Sequence, residues 1–417
     1  MTLPRALGFC SLVVSCLVLG CSTSGDAAST DDEDITDIPV GSIKDQSETG
    51  NCWLYATTAW IESLAANRET NRVKELSTSY LVYWNFYDQI LESEKGFRGV
   101  EWTGGSWGRA VELVERYGVV THYTMTQERA ADTDAKLALE ALATVNESLR
   151  RGALRSKSAR RDPVRVRREL DRAFRVTPAL SAAMTNAFGA GGERSFASGA
   201  SVPPDGLILA PASIRVRVPE GPGRPLRDAS LSEVIGTRSP GEDPDDRVGP
   251  LAWRTAPLEQ SDDPSARPRV MRAFLKRIQR ALHDGVPVPI SWCVQDDGKD
   301  DRLRYSKAIS GVLDSDCTHE TLVVDYEARL PDGRVLKAGE LATPDDMSRA
   351  LADDVEITFL RVKNSWGLDD APRSGYTDLY ATYLNSQIRA CPERNSASDE
   401  CQDWRFLIDD VTLPSGY

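Results

Sequence analysis

Cys52, with Gln46 six residues before it, is the part of this chain most suited to covalent chemistry. Before Cys52 stand the turn formers Ser47, Thr49, Gly50 and Asn51; after it Trp53, Leu54, Trp60, Ile61 and Leu64 recur at helical spacing. The spacing therefore predicts Cys52 in a first helical turn. Unpaired backbone N–H groups and the positive end of the helix dipole favour a thiolate there, the nucleophilic form of cysteine. The Gln46 side-chain amide can donate to an oxyanion forming beside that sulfur. A cysteine at a helix start can also be a small buried hydrophobe, so the chemistry depends on a base. The chain has three histidines to supply one, His122, His283 and His319.

The elements that must position these groups follow from pattern. Leu76–Asn85 reads as a helix with Ser77 as N-cap, and Trp107–Tyr117 as another, begun by Gly104-Gly105-Ser106 and stopped by Gly118. Asp134–Met184 has helical periodicity and a basic run, Arg150, Arg151, Arg155, Lys157, Arg160, Arg161, Arg165, Arg167 and Arg168, which reads as a solvated face. Gly189–Pro204 and Arg238–Pro250 read as loops. In the last third, a helix ending near His283 precedes a strand over Pro287–Val294. Further strands begin at His319 and run over Thr358–Lys363 into Asn364-Ser365-Trp366-Gly367, and Leu330–Arg334 reads as a turn. Helical periodicity before residue 185 and strand-like runs after 285 give an α+β protein.

Gln46, Cys52 and Trp53, then His319, then Asn364-Ser365-Trp366-Gly367, resemble in order the active-site segments of papain-like cysteine peptidases. Leu-Ser-x-Ser-Tyr-Leu from Leu76 and Gly104-Gly105-x-Trp107, with Tyr117-Gly118-Val119-Val120, are similar to the bleomycin hydrolase and aminopeptidase C branch. The resemblance implies a papain-like fold, a helical half and an antiparallel β half with the active-site cleft between them, and a large helical insertion at about 127–270. It implies His319 as base, Asn364 orienting its ring, Trp366 covering their hydrogen bond with Trp53 in support, and Gly104 and Gly105 holding substrate backbone as an added strand. The implied reaction is peptide hydrolysis through a Cys-His-Asn triad and an acyl-enzyme, with peptide or protein substrates and no cofactor or metal. Because the chain ends short of the C-terminal arm that makes bleomycin hydrolases aminopeptidases, endopeptidase activity is the expectation over aminopeptidase activity. Two other readings stay open: a noncatalytic peptide-binding lipoprotein, and an acyltransferase using the same triad.

Arg5 followed by the apolar run Ala6–Leu19 reads as a signal peptide, residues 1–20. Gly20-Cys21 resembles a bacterial lipoprotein signal in which Cys21 is lipidated, and Ser22–Asp37 an acidic tether, so that residues 21–38 link a cell-envelope membrane to a peptidase domain at 39–417. Simple secretion is the other possibility. Export permits disulfides, with Cys391–Cys401 and Cys293–Cys317 the plausible pairs. A net charge of −13 argues against nonspecific nucleic-acid binding.

Overall fold

Trp53 to Leu64, twelve consecutive residues after Cys52, are all buried, so α1 (Cys52–Leu64) is enclosed on every side rather than on one face. Its one internal carboxylate, Glu62, is matched by Lys44 Nζ at 2.6 Å and by the Leu76 N–H at 2.7 Å. The computed structural model describes residues 36, 38–66, 73–93, 99–100, 104–127, 133–239, 242–258, 265–302, 304–312, 318–340, 342–368, 375–390 and 403–417. All of them belong to one unit, residues 32–417.

Around α1 pack α2 (Thr78–Leu91) and α3 (Trp107–Tyr117). Ser77 caps α2, as its sequence predicts, by accepting from the Tyr80 N–H at 3.2 Å. A second cap comes from far along the chain: Asp134 accepts from Thr78 N–H at 2.6 Å and Ser77 Oγ at 2.8 Å. Gly118 ends α3 at φ +67°, and a Cβ there would sit 2.4 Å from the Leu209 carbonyl oxygen. Trp84 and Tyr117 stack across α2 and α3 with centroids 3.8 Å apart.

The helical region continues through α4 (His122–Thr126), α5 (Thr133–Arg151), α6 (Lys157–Arg160), α7 (Pro163–Ala173) and α8 (Pro178–Phe188). Most of the basic run is exposed or half-exposed, with Arg150 and Arg151 against Glu147 and Arg165 against Asp162. Arg167 departs from the expected solvated face. It is buried, bonding the Gly189 carbonyl at 3.0 Å beside the Trp84 ring. After residue 188 the expected helical insertion changes character. An antiparallel hairpin of β1 (Arg215–Pro219) and β2 (Leu226–Ser230) is followed by α9 (Leu231–Ile235) and β3 (Arg254–Pro257), an edge strand of the main sheet. These strands are short: β1 alternates, with Val216 and Val218 buried and Arg215 and Arg217 exposed, but over only four residues, and β2 and β3 show no such alternation.

From α10 (Arg267–His283) onward the chain builds its sheet: β4 (Val288–Cys293), β5 (Ser310–Val312), β6 (Thr318–Arg329), β7 (Val335–Leu336), α11 (Pro344–Ala350), β8 (Glu356–Lys363), β9 (Tyr376–Tyr380), α12 (Ala381–Leu384), β10 (Gln387–Ala390), β11 (Asp403–Arg405) and β12 (Ile408–Leu413). The main sheet has the order β3-β12-β4-β6-β8-β9, with β7 paired to β6 and every pairing antiparallel; β11-β10-β5 form a smaller one. The α1 helix packs on β4 and β6, and α10 on β4, β6 and β8. Helices gathered early and an antiparallel sheet gathered late make the fold α+β.

The stretch before α1 is laced to the sheet. Thr36 Oγ1 donates to the Val324 carbonyl at 2.8 Å, Lys363 Nζ to that of Gly41 at 2.8 Å, and Gln46 N–H to that of Ser365 at 2.7 Å. The chain thus crosses to the β half before turning into the nucleophile helix.

Candidate active site

Cys52 is the first residue of α1, where helix geometry leaves backbone N–H groups without intrahelical acceptors. Asn51, at the N-cap position, makes no side-chain cap bond; its Oδ1 instead accepts from Thr49 Oγ1. Cys52 is part-buried, and its sulfur accepts backbone hydrogen bonds, one of them from the Glu320 N–H. That contact puts it against the start of β6, next to His319.

On β6, His319 Nε2 lies 2.8 Å from Asn364 Oδ1. Asn364 is itself held: its Nδ2 donates to Thr377 Oγ1 at 3.0 Å and its Oδ1 accepts from the Ser365 N–H at 2.7 Å. Trp366 lies over the imidazole, with centroids 4.7 Å apart and planes 20° from parallel, and is 37% exposed. It covers one face of the ring. His122 and His283 sit elsewhere, at the start of α4 and at the end of α10 beside Tyr326.

Gln46 is buried and its amide is fixed at both ends: Nε2 donates to the Thr49 carbonyl at 2.6 Å and Oε1 accepts from Ser365 Oγ. The first bond uses one of the two amide hydrogens, leaving the other for an oxyanion. Its loop also bridges Asp45 to Trp366, and Gly367 N–H donates to the Lys44 carbonyl at 3.2 Å. Gly367 adopts φ +76°, with Asp45 3.1 Å from where its Cβ would be. The Gln46 and Asn364 loops are therefore one bonded unit. Of the two residues that hold Asn364, Ser365 lies inside the Asn364–Gly367 motif, while Thr377 carries no local signal in the sequence.

Trp53 is buried beneath Gly105, whose added Cβ would lie 2.5 Å from the indole Cε2. Gly104 has open space around it and both glycines are exposed. So Gly105 is needed for close approach to Trp53, and Gly104 is free of that constraint. Cys293 is disulfide-bonded; Cys317, expected as its partner, lies outside the described residues, as do Cys21, Cys391 and Cys401.

The electrostatics of burial work against the thiolate expected at Cys52. Burial pushes the Cys52 thiol up to about 11, overriding the backbone N–H groups that favour a thiolate, with the nearby Glu320 adding to the rise. Burial likewise pushes His319 down to about 4, against the opposing hydrogen bond to Asn364. Burial thus opposes the charged pair that the helix terminus favours. A neutral imidazole is the form able to take the thiol proton.

Residues 21–172 match the model of the Peptidase C1-like family. Aminopeptidase G of Lactobacillus delbrueckii subsp. lactis is 27% identical over 111 residues, 22% of this chain and 25% of that protein. Aminopeptidase C of the same organism is 26% identical over 135 residues, 28% and 29% of the two chains. The matched segment thus spans about a quarter of each of these relatives. Among solved structures, PepW from Lactobacillus rhamnosis HN001 aligns over 91% of this chain and 81% of its own, with a TM-score of 0.40 and 12% identity. The resemblance read from Gln46, Cys52, Gly105 and Trp107 to papain-like cysteine peptidases of the bleomycin hydrolase and aminopeptidase C branch stands on the family match and these relatives.

Proposed function

We propose that this protein is a cysteine peptidase that hydrolyses peptide bonds through a Cys52-His319-Asn364 triad. The observation that carries the reading is the His319–Asn364 hydrogen bond under Trp366, beside a sulfur held on the Glu320 backbone. In the first step His319 takes the thiol proton as Cys52 Sγ attacks the carbonyl carbon. The oxyanion is met by the Cys52 N–H and the free amide hydrogen of Gln46. The intermediate collapses to a thioester as the imidazolium gives its proton to the leaving amine. Water, deprotonated by His319, then attacks the thioester, releasing the acid and the thiol. Asn364, fixed by Thr377 and the Ser365 N–H, keeps the ring aligned through both steps.

The similar proteins are named aminopeptidases, which does not favour the endopeptidase preference read from the chain's end. Anchoring in a cell envelope through a lipidated Cys21 belongs to the same proposal and rests on sequence alone. Labelling of the mature protein by a peptidyl epoxide tests the enzyme reading. Label is expected on Cys52, absent in Cys52→Ala and reduced at least about tenfold in rate in His319→Ala. A folded, reduced wild type that takes no label would leave a peptide-binding lipoprotein as the better reading. Labelling with transfer to amines in place of hydrolysis would identify the acyltransferase.

A further inference from the structure

The helices packed on α2 carry a charge unlike that of the rest of the chain. Residues 147–172 hold ten lysines and arginines against four aspartates and glutamates, a balance of +6 within a chain of −13, so the remainder carries −19. The proposed triad makes no use of this segment: α5 and α7 pack on α2, and α6 on α7. The connection between them is short and anchored. Leu154 and Ala159 are buried, and Arg160 donates from Nε to Ser93 Oγ at 3.1 Å and from Nη1 to the Arg155 carbonyl at 2.9 Å. Asp162 caps α7 by accepting from the Arg165 N–H at 3.1 Å. The last turn of α5, α6 and the first turns of α7 are thereby held at one end of this helical layer, and their cations with them.

A basic helix face that only meets water commonly pairs its charges with nearby carboxylates. Arg150, Arg165 and Arg172 do so, with Glu147, Asp162 and Glu169. Arg155, Lys157, Arg161 and Arg168 do not: all four are exposed and make neither an ion pair nor a side-chain hydrogen bond among the described residues. Like charges left uncompensated so close together repel one another, and an anion arriving from outside relieves that repulsion. Among them Val164, in the first turn of α7, is 47% exposed.

The make-up of the segment selects the anion. Nucleic acid is held by cations interleaved with aromatic rings, or read by amide side chains at base edges; residues 147–172 contain no Phe, Tyr, Trp, His, Asn or Gln. A long polyanion would also run from these cations onto a surface whose net charge repels it. A bilayer meets a protein on one side only, and charges farther than about 10 Å from it are largely screened at ordinary ionic strength. Clustered arginine and lysine around an exposed aliphatic side chain suit a headgroup layer, with the cations on phosphates and the apolar group beneath them.

We propose that Arg155, Lys157, Arg161 and Arg168, around Val164, form a surface that docks the protein on a bilayer containing anionic phospholipid. The docking goes beyond the peptidase reading and rests neither on it nor on a lipid at Cys21. None of these residues belongs to the proposed active site, so docking and catalysis are separable by mutation.

The test uses residues 22–417, which contain the whole folded unit and no Cys21. Sedimentation with vesicles of phosphatidylcholine, alone or with about three-tenths phosphatidylglycerol, reads the partition coefficient. Binding is expected to be at least about tenfold tighter on the anionic vesicles at about 50 mM salt, and the advantage to vanish at about 0.5 M. Reversing the four charges together, as Arg155→Glu, Lys157→Glu, Arg161→Glu and Arg168→Glu, should remove the preference. A control reverses four exposed arginines elsewhere, as Arg224→Glu, Arg269→Glu, Arg302→Glu and Arg405→Glu. It changes the net charge equally and should stay within about threefold of wild type. If the first variant does not fold, the same four positions replaced by glutamine carry the test. Equal binding to both vesicles by wild type, or equal loss in the two variants, overturns the proposal. So does displacement from the vesicles by a DNA duplex at equal phosphate concentration, which would assign the surface to nucleic acid. Epoxide labelling of Cys52 should be the same in the first variant and in wild type, so failure of docking and failure of the peptidase reading are seen separately.

Discussion

Two glycines and the nucleophile set what single residues can be expected to do. Gly105→Ala would drive a methyl into the Trp53 indole, 2.5 Å from its Cε2, and is expected to cost about 1–3 kcal/mol and lower turnover. Urea unfolding and peptidase assay of that variant check both, while Gly104→Ala, in open space, should leave stability within about 0.5 kcal/mol. For Cys52, a thiol pushed up to about 11 holds on the order of one part in ten thousand as thiolate at pH 7. Alkylation by iodoacetamide in the free protein should therefore keep rising through pH 9 and 10. A plateau already reached at pH 6 would mean that a thiolate–imidazolium pair exists at rest. Peptidyl epoxides, which engage Gln46 and the cleft, should outpace iodoacetamide at neutral pH.

Among the elements, α2 separates what a sequence carries from what it does not. Ser77 was legible as its cap because capping is local, and Gly118 as the stop of α3 for the same reason. Asp134, which caps α2 from 56 residues away, was not, since only the packing of α5 against α2 brings it there. Removing it as Asp134→Ala is expected to cost about 2–3 kcal/mol by leaving Thr78 N–H and Ser77 Oγ without their acceptor. Denaturant midpoints compared with those of Ser77→Ala would measure it. Glu320 was similarly hidden: in sequence it is one of three acidic residues along β6. Its alignment with Asp410 exists only through the register of β6, β4 and β12. The proposed triad residues lie in short segments that carry the resembled pattern, whereas Thr377 holds Asn364 through a contact that no local pattern records.

At the level of the whole molecule, buried ionisable groups tie stability to pH in opposite directions. Burial lowers His283 to about 4, with Arg280 and Lys276 adding to the effect. The unfolded chain then binds the extra proton between pH 6.5 and 4, so this contribution is complete above pH 6.5 and is lost as pH falls through that window, about 2–3 kcal/mol at its largest. Asp410, raised to about 6, works the other way, favouring the folded state more strongly below that pH. Unfolding of wild type and His283→Gln at pH 7 and pH 4.5 isolates the histidine: the variant should lose less stability on acidification. An equal loss in both would place the acid sensitivity elsewhere.

The lacing of residues 36–46 onto the sheet reaches beyond static geometry. Gln46 is tied to Ser365, 319 positions later, and His319 is oriented by Asn364, which leans on Thr377. Contacts of such long range close late in folding. A chain emerging from a ribosome exposes Gln46 and Cys52 early, but has neither His319 nor the Asn364 and Thr377 that hold it until most of the chain has followed. For the proposed peptidase the order of synthesis is thus itself a safeguard, leaving Cys52 without its base until the β half has followed.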